Sequence, residues 1–600
     1  RNLAVTADQQ STVVTNADGV AGAGGIYGSG AVAATAAATK LDGSVTATMK
    51  NIISNNKGLD ISAKHDHETT LVSASAAMSA AMVSGAVGAG VGVVNDDFTT
   101  NAELINSDVT ASKEDGQTGS GSVKVAADSS TSVTTVVAGV AGSMGAAAST
   151  ISVNNLNSQT AAVVDNSTVA ADQDFAVDAH NRVTTKFNAA TLGAGGAAIA
   201  TGVGVNTIGT STLAEVNKST IKAQKAAITS REEMDVNQNL VGATVGGLGI
   251  NANVMVTSIG TELADTYGSS DNNGASFDTT AALKRSNTAL DSQKTATTDD
   301  TTASGKVVKD TLHNRDTGVA ATDASGVTAS SGKSDAKGTQ VAVTNSDITT
   351  TDTMALRANR KTDAQITAAS ASVSGSLGLS ATVAVLDAKK DAGVSISGST
   401  LQANNALTVT ADQGGKTSID AYQANIAGVA AVSAAYAQSS SNGETKVEAV
   451  GSTLTSGNKD ITMKAADASQ TASSVYGATA GLVTAGALVS KADNTSDVNL
   501  AVKGSALHTA QGTASLQADK ANVVTAKTYG GSFGLVGANG VVALASDEGA
   551  SKILVAQSDS KKNSVFRGQT ASLQATTRPA VTAETGSLSV ALLGSASASV

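Results

Sequence analysis

Residues 407–412 read Leu-Thr-Val-Thr-Ala-Asp, and this short alternation of apolar and polar side chains decides the fold. Leu407, Val409 and Ala411 would lie on one face of a β-strand, and the polar residues between them on the other. The Gly, Thr, Val and Ser residues interleaved with Ala lower the helix propensity of the surrounding chain. The pattern therefore predicts a half-buried strand.

The same alternating motif recurs along the whole chain. Measured at its fifth position, successive copies are 52 to 64 residues apart, with one longer interval of 120 residues. A steady period of this length is typical of solenoids, in which each repeat stacks on the next. The copies lie at residues 3–8, 59–64, 123–128, 175–180, 234–239, 354–359, 407–412, 461–466, 514–519 and 571–576.

Each repeat has two further parts. A second motif precedes most later copies of the strand motif: it reads Ser, then Thr, Asp or Ala, then Val, Ile or Leu, as at residues 399–401. A long stretch of small residues follows the strand motif, as at 193–205. Residues 457–460 (Gly-Asn-Lys-Asp) tolerate turn backbones and indicate a polar corner. We therefore predict an all-β protein, a β-solenoid (right-handed parallel β-helix) of about ten repeats of 52–64 residues with one polar insertion.

Composition agrees with this class. Aromatic residues make up 2% of the 600 residues and Gly accounts for 60, which suits the narrow interior of a β-helix. With two or three coils in each repeat, the stack would contain on the order of 25 coils and extend roughly 120 Å. The single Pro excludes a collagen triple helix. The absence of Cys excludes a disulfide framework and fits export as an unfolded chain.

The long interval predicts the domain organisation. It separates Gln238 from Ala358, and its excess maps to residues 269–337, which are polar and charged. We expect a mobile insertion there, with a small receptor-binding subdomain as the alternative. The predicted domains are solenoid repeats at 1–268, the insertion at 269–337 and solenoid repeats at 338–600.

The three-part repeat resembles that of a known family. The strand motif, the Gly/Ala-rich stretch at residues 193–207 and the following Ser-Thr-Val/Ile/Leu strand are similar to the repeats of leukotoxin-type filamentous adhesins, bacterial relatives of filamentous haemagglutinin. The resemblance covers most of the chain outside residues 269–337. It implies export by a two-partner or autotransporter-type route and a long β-helix at the cell surface.

Few residues indicate metal chemistry. His65 and His67 are two residues apart on one strand face and could chelate a transition metal, and a solvated strand edge is the alternative. The polar corners at 95–97 and 271–273 could bind Ca²⁺, but ordinary turn chemistry accounts for the same residues.

Two short matches to enzyme motifs carry little weight. Residues 193–198 match a dinucleotide-binding fingerprint without its strand and helix context, and 530–534 match Gly-x-Ser-x-Gly without a His or acid partner. We therefore predict no catalytic, cofactor-binding or metal-binding residue and no cofactor.

The predicted function is that of a structural rod in a secreted or surface-exposed bacterial filamentous adhesin, making weak multivalent contacts without catalysis. Its expected partners are an unknown receptor on a host or neighbouring cell and other copies of the chain in fibres. The net charge of -11 predicts no nucleic-acid partner.

Two alternatives remain open. Residues 71–94 contain no charge over 24 residues, enough for a membrane-spanning helix, so one alternative is a membrane-active toxin segment. Because similar stretches recur in nearly every repeat and are poor in Leu, Ile and Phe, membrane contact is not expected. The other alternative is a solenoid enzyme that acts on polysaccharides.

Overall fold

The computed structural model describes residues 2–112, 121–260, 338–559 and 562–600. Within these ranges the chain forms parallel β-strands and short turns without a helix, so the predicted all-β solenoid class is confirmed. The predicted insertion at 269–337 and the corner at 271–273 lie outside the described residues. The right-handed sense of the coil stays a prediction.

Each coil has three sides. The chain runs out along a first arm, reverses at a tip, returns along a second arm and closes through a strand of three or four residues. The arms are formed by β1 (Asn2–Gly24), β2 (Ser29–Lys50), β4 (Gly58–Ala80), β5 (Ser84–Ile105), β7 (Val123–Asp165), β9 (Asp174–Asn217), β11 (Lys225–Ile259), β12 (Gly338–Thr344), β14 (Met354–Lys389), β15 (Ala392–Ser397), β17 (Leu407–Ala427), β18 (Ala430–Asn442), β19 (Glu444–Val450), β21 (Ile461–Asn494), β22 (Asp497–Lys503), β24 (Thr513–Lys520), β25 (Val523–Asp547), β26 (Ser551–Ala556), β28 (Thr570–Thr577) and β29 (Ala580–Ser599). The closing strands are β3 (Ile53–Asn56), β6 (Asp108–Ala111), β8 (Thr168–Ala171), β10 (Thr220–Ala223), β13 (Asp347–Thr350), β16 (Thr400–Ala403), β20 (Thr453–Ser456), β23 (Ala506–Thr509) and β27 (Val565–Arg567).

Equivalent residues of successive coils pair in parallel. One ladder near the start of the first arm runs through Leu3, Leu59, Val123, Phe175, Ala226, Met354, Leu407, Ile461, Ala514 and Ala571. We number the coils 1 to 10 in this order.

The ladder corrects the expected coil size. One repeat forms one wide coil, not two or three narrow ones, because each arm is about 22 residues long, as β1 and β2 illustrate. At about 4.8 Å per coil the stack is roughly 43 Å tall, and an arm of that length extends roughly 70 Å. The molecule is therefore a broad slab rather than the 120 Å rod that narrow coils would build.

The prediction that residues 234–239 are a copy of the strand motif is also wrong. Met354 pairs with Ala226 rather than with Met234, so the matching segment of coil 5 begins eight residues earlier. Alternation of buried and outward-facing residues continues along the whole arm, and an even shift leaves it unchanged. Ser230 stands where most other copies have Ala, which concealed the true register.

The two arms of each coil pack face to face. Thr135 Oγ1 on the first arm donates to Asn154 Oδ1 on the second at 2.9 Å, across the interior. Near the tip the gap closes until the backbones touch, and a Cβ added at Gly88 would lie 2.2 Å from the carbonyl oxygen of Val140. The Gly/Ala-rich stretches are therefore the parts of each coil that line this narrow gap.

A column of polar residues, the polar spine, runs through the interior on the first arm. It separates an apolar core beside the closing strands from a second one between the arms. Glu232 and Arg360 form an ion pair at 3.2 Å within it, and Lys520 pairs with Asp547 at 2.8 Å. The spine comprises His65, Ser129, Asn181, Glu232, Arg360, Gln413, Asp467 and Lys520.

The Ser of the second motif forms a ladder at the corner before each closing strand. The Ser346 N–H donates to Ser399 Oγ at 3.1 Å, and the Ser399 N–H donates to Ser452 Oγ at 3.2 Å. The residue before each of these Ser has a positive φ, as at Asn345 (48°) and Gly398 (58°). Asn and Gly adopt a positive φ more readily than other residues, so an Asn or Gly before the Ser indicates the corner in the sequence.

Candidate functional site

The half of the slab nearest the tip carries no charged side chain in coils 5 to 9. Each of these coils crosses the tip through a run without Asp, Glu, Lys or Arg, and the charged residues lie towards the closing strands. Since apolar side chains dominate the outward positions of these runs, the surface favours a partner that excludes water. The runs are 236–260, 364–386, 421–443, 468–490 and 528–546.

Three outward-facing columns on the first arm of coils 5 to 10 form an apolar groove, which we call the tyrosine groove. Two of the columns line a pocket of about 850 Å³, and the third column runs beside it. The tyrosine ridge on one side consists of Tyr422, Tyr476 and Tyr529. The floor, or trough, consists of Ala243, Ala371, Ala424, Ala478 and Gly531, and in coil 10 it ends at the larger Leu588. The outer ridge consists of Val245, Val373, Ile426, Ala480 and Phe533.

In-register pairing is what builds the tyrosine ridge. The ring centroids of Tyr422 and Tyr476 lie 5.4 Å apart, those of Tyr476 and Tyr529 lie 5.7 Å apart, and both pairs are stacked nearly parallel. Because the coils repeat at about 4.8 Å, rings at equivalent positions of adjacent coils lie within stacking distance when the strands keep their regular spacing. The stack makes a rigid wall.

Two phenols of this wall, those of Tyr422 and Tyr529, have raised pKa values. A hydrogen bond to Glu584 raises the pKa of Tyr529 to about 12. Burial, together with the nearby Asp420 carboxylate, raises the pKa of Tyr422. The tyrosine groove therefore offers hydroxyl groups, and the Glu584 carboxylate that bonds Tyr529 lies at its coil 10 end.

A line of exposed apolar residues, the tip ridge, borders the groove where the arms reverse. It comprises Leu248, Leu377, Val429, Leu482 and Leu535. Backbone groups at the tip pair with the neighbouring coil: the Val429 N–H donates to Ser376 O at 2.9 Å and the Val483 N–H to Val429 O at 2.8 Å. Contact with an apolar partner would therefore not leave these backbone donors unpaired.

His65 and His67 do not lie on a solvated strand edge. Both point into the slab and are 1% exposed, with their rings 4.5 and 4.4 Å from that of Phe98. His67 Nδ1 lies 2.6 Å from Ser11 Oγ, and His67 Nε2 lies 3.5 Å from Asp96 Oδ2. Across the described ranges, no group of three or more His, Cys, Asp and Glu could hold a metal ion.

The corner predicted at 95–97 is part of the second arm rather than a loop. Asp96 is buried, whereas Asn95 Oδ1 and Asp97 Oδ1 accept hydrogen bonds from Asn155 (2.8 Å) and Asn157 (3.0 Å) in the next coil. These side chains form rungs between coils, which accounts for their polarity without an ion.

The two enzyme-like motifs occupy structural positions. Residues 193–198 form the tip of coil 4, and a Cβ at Gly195 would lie 1.6 Å from Ser143 O. Ser532 of the 530–534 match points inward and donates to Ser589 Oγ at 2.8 Å. Backbone crowding and interior hydrogen bonding thus explain both matches.

The apolar stretch at 71–94 is divided between β4 and β5 and crosses the tip between them. No helix in the described part of the chain is long and apolar enough to span a membrane.

Comparison with family models, with curated proteins and with solved structures finds no match to this chain.

The tyrosine groove was missed at the level of sequence, although its signal is present there. Tyr422, Tyr476 and Tyr529 are spaced by 54 and 53 residues, which is the period of the strand motif. Among only 6 Tyr in the chain, three at this spacing indicate an aromatic column. Recognising it requires alignment of the repeats over their full length.

Proposed function

We propose that this chain is a structural module of a secreted or surface-exposed bacterial filamentous adhesin. The observation that carries the proposal is the unbroken parallel ladder from Leu3 to Ala571, which places equivalent outward positions of successive coils side by side. Such a surface makes many weak contacts whose combined avidity exceeds that of any single contact. Catalysis forms no part of the proposed role.

The resemblance to filamentous adhesin repeats supports the extracellular location, and so does the absence of Cys from all 600 residues. The tyrosine groove and the tip ridge supply the repeated apolar contact surface. The unknown partner is a receptor on a host or neighbouring cell.

Surface display tests the proposal. The 600-residue chain, fused to a surface anchor on a non-adherent bacterium, should increase attachment to cultured host cells. A variant that lacks one coil, displayed at the same number of copies per bacterium, should attach less well because attachment depends on the number of contacts. Attachment no better than that of bacteria displaying the anchor alone would overturn the adhesin role.

The tip ridge favours one other function, insertion into a lipid bilayer as part of a membrane-active toxin. Exposed Leu and Val side chains on a charge-free edge are suited to the apolar region below lipid headgroups. Dye release from liposomes separates the two functions, because an adhesin module should leave the vesicles sealed.

A further inference from the structure

We propose that the tyrosine groove binds the tyrosine groove of a second copy of this chain. The inference concerns lateral pairing of two slabs, and it does not depend on the proposed adhesin role.

The shape of the groove is self-complementary. In coils 7 to 9 a trough of Ala and Gly lies beside the three tyrosine rings, which stand higher than the floor because their side chains are larger. On the other side of the trough Ile426 and Phe533 also stand higher than the floor, with the smaller Ala480 between them. Two copies related by a two-fold axis can each place a ridge in the trough of the other, so the same patch serves both partners.

The coil spacing favours another copy over an irregular ligand. Every ridge and trough position recurs once per coil, at about 4.8 Å, and Tyr fills its ridge position in coils 7 to 9. A second copy has the same spacing, so a match made at one coil is repeated at the next. A partner without this period could match the groove at only one or two coils.

Charge also favours a second copy. The net charge of the chain is -11, so two copies repel each other over most orientations. The runs around the tip are free of charge in coils 5 to 9, which makes this face a place where copies can approach without burying an unpaired charge.

The size of the groove sets the strength of the contact. From Tyr422 to the tip at Gly428 the strand covers roughly 20 Å, and coils 5 to 10 cover roughly 24 Å along the stack. The two copies together would bury roughly 1,000 Å², near the lower limit for a specific interface. We therefore expect a weak, reversible dimer whose affinity increases with the number of coils in contact.

Sedimentation velocity of the full chain over a range of concentrations tests the proposal. The trough variant carries Ala424→Lys and Ala478→Lys, both at exposed trough positions. The matched control carries Gln365→Lys and Ala468→Lys, at exposed outward positions of the first arm outside the groove. Both variants add the same charge to the same type of strand.

The wild-type chain and the control should show a rising sedimentation coefficient as concentration increases. The trough variant should dimerise more weakly by a factor of more than about ten, because lysine charges would have to be buried. Far-UV circular dichroism establishes that all three are folded. If the trough variant misfolds, Tyr422→Ser with Tyr476→Ser removes two of the three rings of the ridge without adding charge and should weaken pairing as well.

Three outcomes would overturn the inference. The wild type could remain monomeric at every concentration. The trough variant could associate as strongly as the control, which would place the contact elsewhere, for example at the ends of the stack. The wild type could stay monomeric yet float with phosphatidylcholine vesicles while the trough variant does not, which would identify lipid as the occupant.

Discussion

At the scale of single residues, the serine ladder carries a large share of the corner geometry. Ser399 is 2% exposed; its Oγ accepts the Ser346 N–H and donates to Ser397 O at 2.8 Å. Ser399→Ala should destabilise the fold by about 1–3 kcal/mol, because a buried backbone N–H loses its acceptor. Urea unfolding and hydrogen exchange at the Ser346 amide measure the effect.

Ser474→Ala is the control for that experiment, since Ser474 faces outward on the first arm of coil 8 and is only partly buried. It should leave the unfolding midpoint nearly unchanged. Equal destabilisation by both substitutions would show that the ladder is not the cause.

Lys218 is the one residue other than Asn or Gly with a positive φ, 45°, among the described residues. It occupies the corner position that Asn166 and Asn345 hold in neighbouring coils. Lys218→Asn should therefore stabilise the protein, by up to about 1 kcal/mol, because Asn adopts this conformation at a lower cost.

Thermal unfolding checks the Lys218 prediction. Lys222→Asn removes the same charge from an exposed position on closing strand β10, where the backbone is extended. That control should not raise the unfolding temperature. A lower unfolding temperature for Lys218→Asn would contradict the prediction.

At the scale of elements, strand β4 contains a pH-sensitive site. Burial lowers the pKa of His65, and the neighbouring His67 lowers it further, although Asp66 opposes the shift. A His whose folded-state pKa lies below its unfolded value of about 6.5 stabilises less as pH falls, since the unfolded chain takes up the proton first. The contribution of the neutral His65 side chain to the free energy of unfolding is therefore complete above about pH 6.5 and is lost as the pH falls below that value.

We therefore compare amide hydrogen exchange in coils 1 to 3 with exchange in the rest of the slab, after correction for intrinsic exchange rates. The ratio of the two exchange rates should be higher at pH 5.5 than at pH 7.5. His65→Asn should remove most of this difference because it leaves no titrating group at that position. A difference of the same size in His65→Asn would assign the effect to another group.

At the scale of the whole molecule, stability comes from stacking of neighbouring coils, so a complete coil should be removable. Leu401 pairs with Leu454, and deletion of residues 401–453 joins equivalent points of adjacent coils. The shortened protein should fold, with a stack shorter by about 5 Å. Small-angle X-ray scattering and circular dichroism measure both properties.

Deletion of residues 401–426 removes about half a coil and is the matched control. It brings an arm against a closing strand, breaks the ladder and should cause aggregation or loss of the cooperative unfolding transition. The stacking model would fail if the two deletions behaved alike.

The sequence by itself determined the class of the fold and the residues of the corners. Alternation in segments such as Leu407–Ala411 depends only on the two-residue period of a strand, and the Asn or Gly before Ser depends only on local backbone conformation. The repeat length also follows from the chain alone, because equivalent positions recur at equivalent places in each coil.

Only the tertiary structure decided the width of the coil and the register of coil 5. An alternating pattern is unchanged by an even shift, so it cannot distinguish Ala226 from Met234 as the partner of Met354. The tyrosine groove likewise arises from residues more than fifty positions apart, which become neighbours only when whole coils stack in register.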